Sequence, residues 1–108
     1  METGINTHER FSTINHEHLD TLVMAAVGDY PTSGLMVVEC QDGSWFVEVE
    51  FGDEYNAIDG VSKPQITPYI DPQLFTSENK VRWFAFSCIK QIHPELKKLE
   101  LGEFFSEK

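Results

Sequence analysis

The residues best equipped for chemistry lie in one stretch, SWFVEVEFGDEYNAIDG (residues 44–60), where Glu48, Glu50, Asp53, Glu54 and Asp59 stand with no Lys or Arg among them. Glu48 and Glu50 are two positions apart, so on a strand they share a face, and two carboxylates on one face are the raw material of general acid–base catalysis. The rest of a catalytic site is missing from the sequence. His16, His18 and His93 accompany no Ser or Cys in a nucleophile motif, and no glycine-rich phosphate loop occurs. A row of like charges on an exposed strand is far commoner as surface than as catalyst, so no catalytic residue is expected.

Two metal readings fail on spacing. His8, Glu9, His16, Glu17 and His18 are suitable ligand types, but the helical H-E-x-x-H pattern is absent, and a helix would place His16 and His18 about 200° apart. Asp53–Gly60 lacks the alternating oxygen ligands of a calcium loop: Ala57 and Ile58 follow Asn56, and Pro64 stands where the closing Glu belongs. Neither a metal nor a cofactor is expected.

Two uses remain for these carboxylates, a solvated face that keeps the chain soluble and a docking surface, and three features favour docking. The acidic run extends from Glu39 to Asp59 without a basic residue and brackets the aromatics Phe46 and Tyr55, the composition of an apolar anchor ringed by steering charge. The expected partner-binding set is therefore Glu39, Phe46, Glu48, Glu50, Asp53, Glu54, Tyr55 and Asp59. The charge of the whole chain agrees. Residues 1–59 hold twelve acids against Arg10 alone, whereas residues 60–108 hold six acids and seven Lys or Arg, for a net charge of −10. Such a chain repels nucleic-acid backbones and anionic membranes and attracts a basic protein.

Elements must position these residues. NHEHLDTLVMAAV (15–27) spaces Leu19, Leu22, Val23, Ala26 and Val27 as an amphipathic helix, capped by Thr13 or Asn15 and stopped by Gly28. GLMVVEC and SWFVEVEF flank Asp42-Gly43, which predicts a hairpin with a two-residue turn. Counting outward from that turn pairs Cys40 with Trp45 and Val38 with Val47. Met36, Val38, Cys40, Trp45, Val47 and Val49 then form the core face, and Leu35, Val37, Glu39, Phe46, Glu48 and Glu50 form the solvent face. Five glycines and prolines between 52 and 72 predict an irregular connection, with at most a short edge strand at 65–70. KVRWFAFSCIK (80–90) reads as a long central strand. Pro94 can open a short C-terminal helix with Leu96 and Leu99 turned inward and Gly102 ending it.

The expected fold is α+β: an N-terminal helix packed on a small, mainly antiparallel sheet, in one domain spanning 1–108. At 41% hydrophobic and 24% charged residues, the 108-residue chain has enough apolar content to form a core and is far from the composition of disorder. Its start lacks a signal peptide, no apolar run is long enough to span a membrane, and Cys40 and Cys88 sit in apolar stretches, so buried reduced thiols and a cytoplasmic location are expected. In size, charge and compartment such a chain is similar to immunity proteins, which implies inhibition of a basic nuclease-type toxin by occupation of its phosphate-binding or active-site surface. The same blockade could be directed at a defence nuclease by a DNA mimic. A small enzyme or ligand-binding domain, with a pocket between helix and sheet, is the alternative.

Overall fold

The computed structural model describes residues 7–29, 31–66 and 68–96. Along the chain run α1 (Thr7–Phe11), β1 (Thr13–His18), α2 (Asp20–Val27), β2 (Gly34–Cys40), β3 (Trp45–Phe51), α3 (Glu78–Ile92) and a 3-10 turn at Pro94–Leu96. The strands form an antiparallel sheet in the order β1-β2-β3. The α+β class is as expected, but the helix order is not: the N-terminal helix is short and the main helix is C-terminal.

The β2–β3 hairpin turns at Asp42-Gly43, through three residues rather than two. Gly43 N–H donates to Cys40 O (3.0 Å), Cys40 N–H donates to Ser44 O (2.8 Å), and Gly43 takes φ +93°. Asp42 Oδ1 accepts from both the Ser44 amide (3.0 Å) and the Ser44 hydroxyl (2.6 Å), which locks this longer loop with its left-handed glycine. The extra loop residue shifts the register, so that Glu39 faces Trp45, Val38 faces Phe46, Val37 faces Val47 and Met36 faces Glu48. Because side chains alternate with period two, a one-residue slip regroups the faces.

Both faces are then covered. Leu35, Val37 and Val47 are buried against Leu22 and Val23 of α2 and Val81, Ala85, Cys88 and Ile89 of α3, with Trp45 and Val49 at the margin. On the opposite face Val38, Cys40 and Phe46 form a second cluster under Phe11, whose ring lies 5.0 Å from that of Phe46. This corrects the expected face assignment: Leu35, Val37 and Phe46 are core, not solvent.

Residues 13–18 are a strand, not the start of a helix. They pair with β2, and the helix begins only at Asp20, preceded by Leu19, which offers no side-chain cap. Its stop is as expected: Gly28 takes φ +100° and returns its N–H to Met24 O at 2.8 Å. Residues 80–90 are likewise helical. Val81, Ala85, Cys88 and Ile89 bury one stripe at i, i+4, i+7, i+8, and the Ser77 hydroxyl accepts the Lys80 amide at 3.2 Å as N-cap.

The described residues between β3 and α3 are irregular, and none of those within 65–70 is in a strand. They nevertheless close the outer edge of β3. Ser62 bonds Val47 and Val49 (2.8 and 2.9 Å), and Phe75 exchanges two bonds with Trp45 (2.8 and 2.9 Å), which removes open donors and acceptors that would otherwise invite edge pairing. Pro94 opens a single 3-10 turn with Leu96 buried, while Leu99 and Gly102 lie outside the described residues. Cys40 and Cys88 are free and buried. Among the described residues no helix is long and apolar enough to cross a membrane.

Candidate functional site

The acidic residues are sorted by a bulge. Leu35 faces Val49 but Gly34 faces Phe51, so Glu50 is an extra residue in β3, turned outward, where its carboxylate meets His18 Nδ1 at 2.9 Å. Glu48, before the bulge, is only 6% exposed. Its two oxygens lie 3.0 and 3.1 Å from one donor, the Thr7 hydroxyl. Burial pushes its carboxyl above the usual range, and the Thr7 bond offsets this in part. Phe51 ends the strand with its ring against Gly34, where any Cβ would collide with it.

After the bulge the chain enters the left-handed region at Gly52 (φ +81°) and carries Asp53 and Glu54 to the surface, with the Glu54 amide donating to Ser33 Oγ at 3.0 Å. Tyr55 turns back into the core at 0% exposure, and its hydroxyl has no partner among the described residues. Burial raises its phenol pKa. Asp59 is exposed.

Two depressions meet along this segment. One, about 230 Å³, lies between the end of β3 and residues 63–66 and is lined by Met36, Glu48, Glu50, Phe51, Asn56 and Lys63. The other, about 350 Å³, is lined by Asp59, Lys63, Ile66, Pro68, Ile70 and Asp71. They share Asn56, Lys63 and Ile66. Ile70 is 77% exposed and Ile66 41%. Asp71 is held by Arg10 at 2.7 Å; the Arg10 guanidinium in turn lies 5.6 Å over the ring of Tyr69, whose hydroxyl is 2.7 Å from Ser62 Oγ.

The expected binding set is therefore divided. Glu50, Asp53, Glu54 and Asp59 are exposed on neighbouring segments. Phe46 (0% exposed) and Tyr55 are core residues and cannot serve as exposed anchors, and Glu48 is a buried carboxyl rather than a surface charge. Glu39 faces Trp45 at the turn end of the hairpin, about 17 Å along the strands from Glu50 at about 3.4 Å per residue. Missing from the expected set were Ile66, Ile70 and Lys63. Isoleucines in a proline-interrupted segment, with no regular element to bury them, were the available signal.

His16 and His18 lie on a strand with ring centroids 4.9 Å apart, so the helical separation expected of them does not exist. Even so, no group of three or more His, Cys, Asp or Glu among the described residues could hold a metal ion. The space between the sheet and α2 and α3 is filled by core side chains such as Leu19, Val23, Val37, Val47 and Val81. The chain matches no family model, no curated protein and no solved structure.

Proposed function

We propose that this is an interaction protein whose acidic surface docks a basic protein, a nuclease-type toxin domain that it holds inactive in the cytoplasm in the manner of an immunity protein. The observation that carries the reading is the pair of exposed isoleucines, Ile66 and Ile70, in a groove flanked by Asp59 and Asp71, on a surface that also presents Glu50, Asp53 and Glu54. Apolar groups supply the desolvated anchor and the carboxylates supply steering and register. Within 52–71 Lys63 is the sole basic residue; Arg10 pairs with Asp71, and the steering charge is that of Asp53, Glu54 and Asp59, for which no ion pair is seen among the described residues. The carboxylates would occupy Lys, Arg and His groups that the partner otherwise uses to hold substrate phosphates.

The test is an association measurement against a panel of purified basic nuclease domains. Asp53→Lys, Glu54→Lys and Asp59→Lys together should slow association by about tenfold or more, while the fold survives because these side chains face solvent. Ile70→Ala should instead speed dissociation. If the triple reversal leaves the association rate unchanged, the carboxylates serve solubility alone.

A further inference from the structure

The smaller depression has features that a solvated acidic face does not need. Its lining sets the apolar Met36, Val49, Phe51, Pro64 and Ile66 beside Asn56, Lys63 and Gln65, and Glu48 and Glu50 both line it. Glu48 is buried, and among the described residues only the Thr7 hydroxyl donates to it. One hydroxyl carries one proton, so Thr7 supplies a single donor to a carboxylate that can accept about four hydrogen bonds. A buried anion in that condition is unfavourable unless a cation reaches it. Lys63 also lines the depression but makes no ion pair with Glu48 or Glu50 among the described residues. With both glutamates ionised, Glu48, Glu50 and Lys63 together carry a net charge of −1, and His18 stands 2.9 Å from Glu50.

We infer that this pocket receives a single arginine side chain from the basic partner, its guanidinium set against Glu48 and Glu50 and its methylene stem against Met36, Phe51 and Ile66. The inference rests on the reading of the protein as a binder of a basic partner and names the chemistry of its anchor. Size agrees: about 230 Å³ accommodates one long side chain and not a folded element. Chemistry selects arginine over lysine. A planar guanidinium presents several donors in a fork, can bond two carboxylates at once and is more weakly hydrated than an ammonium, so it enters a partly apolar site at lower cost. The bulge matters here, because it turns Glu50 out toward His18 while leaving Glu48 and Phe51 on either side of it along the strand.

The experiment titrates N-acetyl-arginine amide into the full chain and follows the Met36 methyl and Phe51 ring signals by NMR, with N-acetyl-lysine amide as the comparison. Saturable shifts at these residues are expected, with a dissociation constant of about 1 mM for so small a probe and weaker binding of the lysine analogue. Glu48→Gln, and separately Glu50→Gln on the exposed bulge, should each weaken the arginine probe by about tenfold. Because Glu50 contributes nothing to the core, its variant keeps the test valid if Glu48→Gln disturbs the fold. Shifts that never saturate, equal binding of the lysine probe, or unaltered binding by both variants would overturn the arginine pocket. If the probe fails while charge reversal at Asp53, Glu54 and Asp59 still slows a basic partner, the pocket is refuted and the docking surface stands. If the probe binds and the partner's association ignores that reversal, the pocket stands and the broader surface does not.

Discussion

Glu48 shows how one side chain links packing, pH and binding. Burial holds its carboxyl above the usual range, so the folded protein keeps that proton more tightly than the unfolded chain does. The sign follows from linkage: the contribution is fully present below the ordinary carboxylate pKa and is lost as pH rises through the raised one. Glu48→Gln has no such titration, and its amide oxygen can still accept from Thr7. Thermal unfolding from about pH 4 to about pH 8 should therefore show the variant gaining on the wild type as pH rises. A difference that stays flat or shrinks would mean that Glu48 is better solvated than its burial indicates. Cys88 follows the same physics from the other side, since burial pushes its thiol up to about 11, which leaves it protonated and unreactive in the folded protein.

At the scale of elements, α3 and the hairpin show where local sequence is ambiguous. KVRWFAFSCIK is apolar and aromatic enough for a buried strand, yet it also places Val81, Ala85, Cys88 and Ile89 on one helical stripe. The sheet can use the stripe because its α-facing side needs a cover, and α3 supplies most of it alongside α2. Ser77 decides where that helix starts. Ser77→Ala should destabilise the protein by about 1 kcal/mol, read as a lower urea midpoint with an unchanged m-value. A shift indistinguishable from zero would mean that water caps the Lys80 amide equally well. The hairpin offers the complementary case. Its position was legible from Asp42-Gly43, but its register was not, because the Asp42 bonds to Ser44 lengthen the loop by one residue.

For the whole molecule, charge is arranged against burial. Glu50, Asp53, Glu54 and Asp59 lie exposed, while Glu17 and Glu78 share Arg82 at 2.8 and 2.6 Å, which offsets one of their two charges. Exposed acidic charge therefore gathers around residues 50–59, where Glu50 alone meets an ion-pair partner among the described residues, His18 at 2.9 Å. Raising ionic strength from about 0.05 to about 0.5 M shortens the Debye length from about 14 to about 4 Å, so association with a basic partner should slow markedly. The triple Lys variant should respond much less, since its steering field is already gone. Stopped-flow association at two salt concentrations reads both effects, and equal salt dependence of wild type and variant would place the steering elsewhere.

Much was decided by sequence alone: the α+β class, the hairpin, the glycine stop of α2, the irregular connection, the buried thiols and the acidic half of the chain. These depend on local period, on turn and cap residues and on composition, which act over a few positions. Only the tertiary structure decided which carboxylates are surface, which aromatics are core and which apolar residues stay exposed. The physical reason is that both faces of this sheet are covered, by α2 and α3 on one side and by Phe11 on the other. Alternation then no longer distinguishes inside from outside, and Phe46, Tyr55 and Glu48 are buried by neighbours distant in the chain, while Ile66 and Ile70, held outside any helix or strand, stay 41% and 77% exposed.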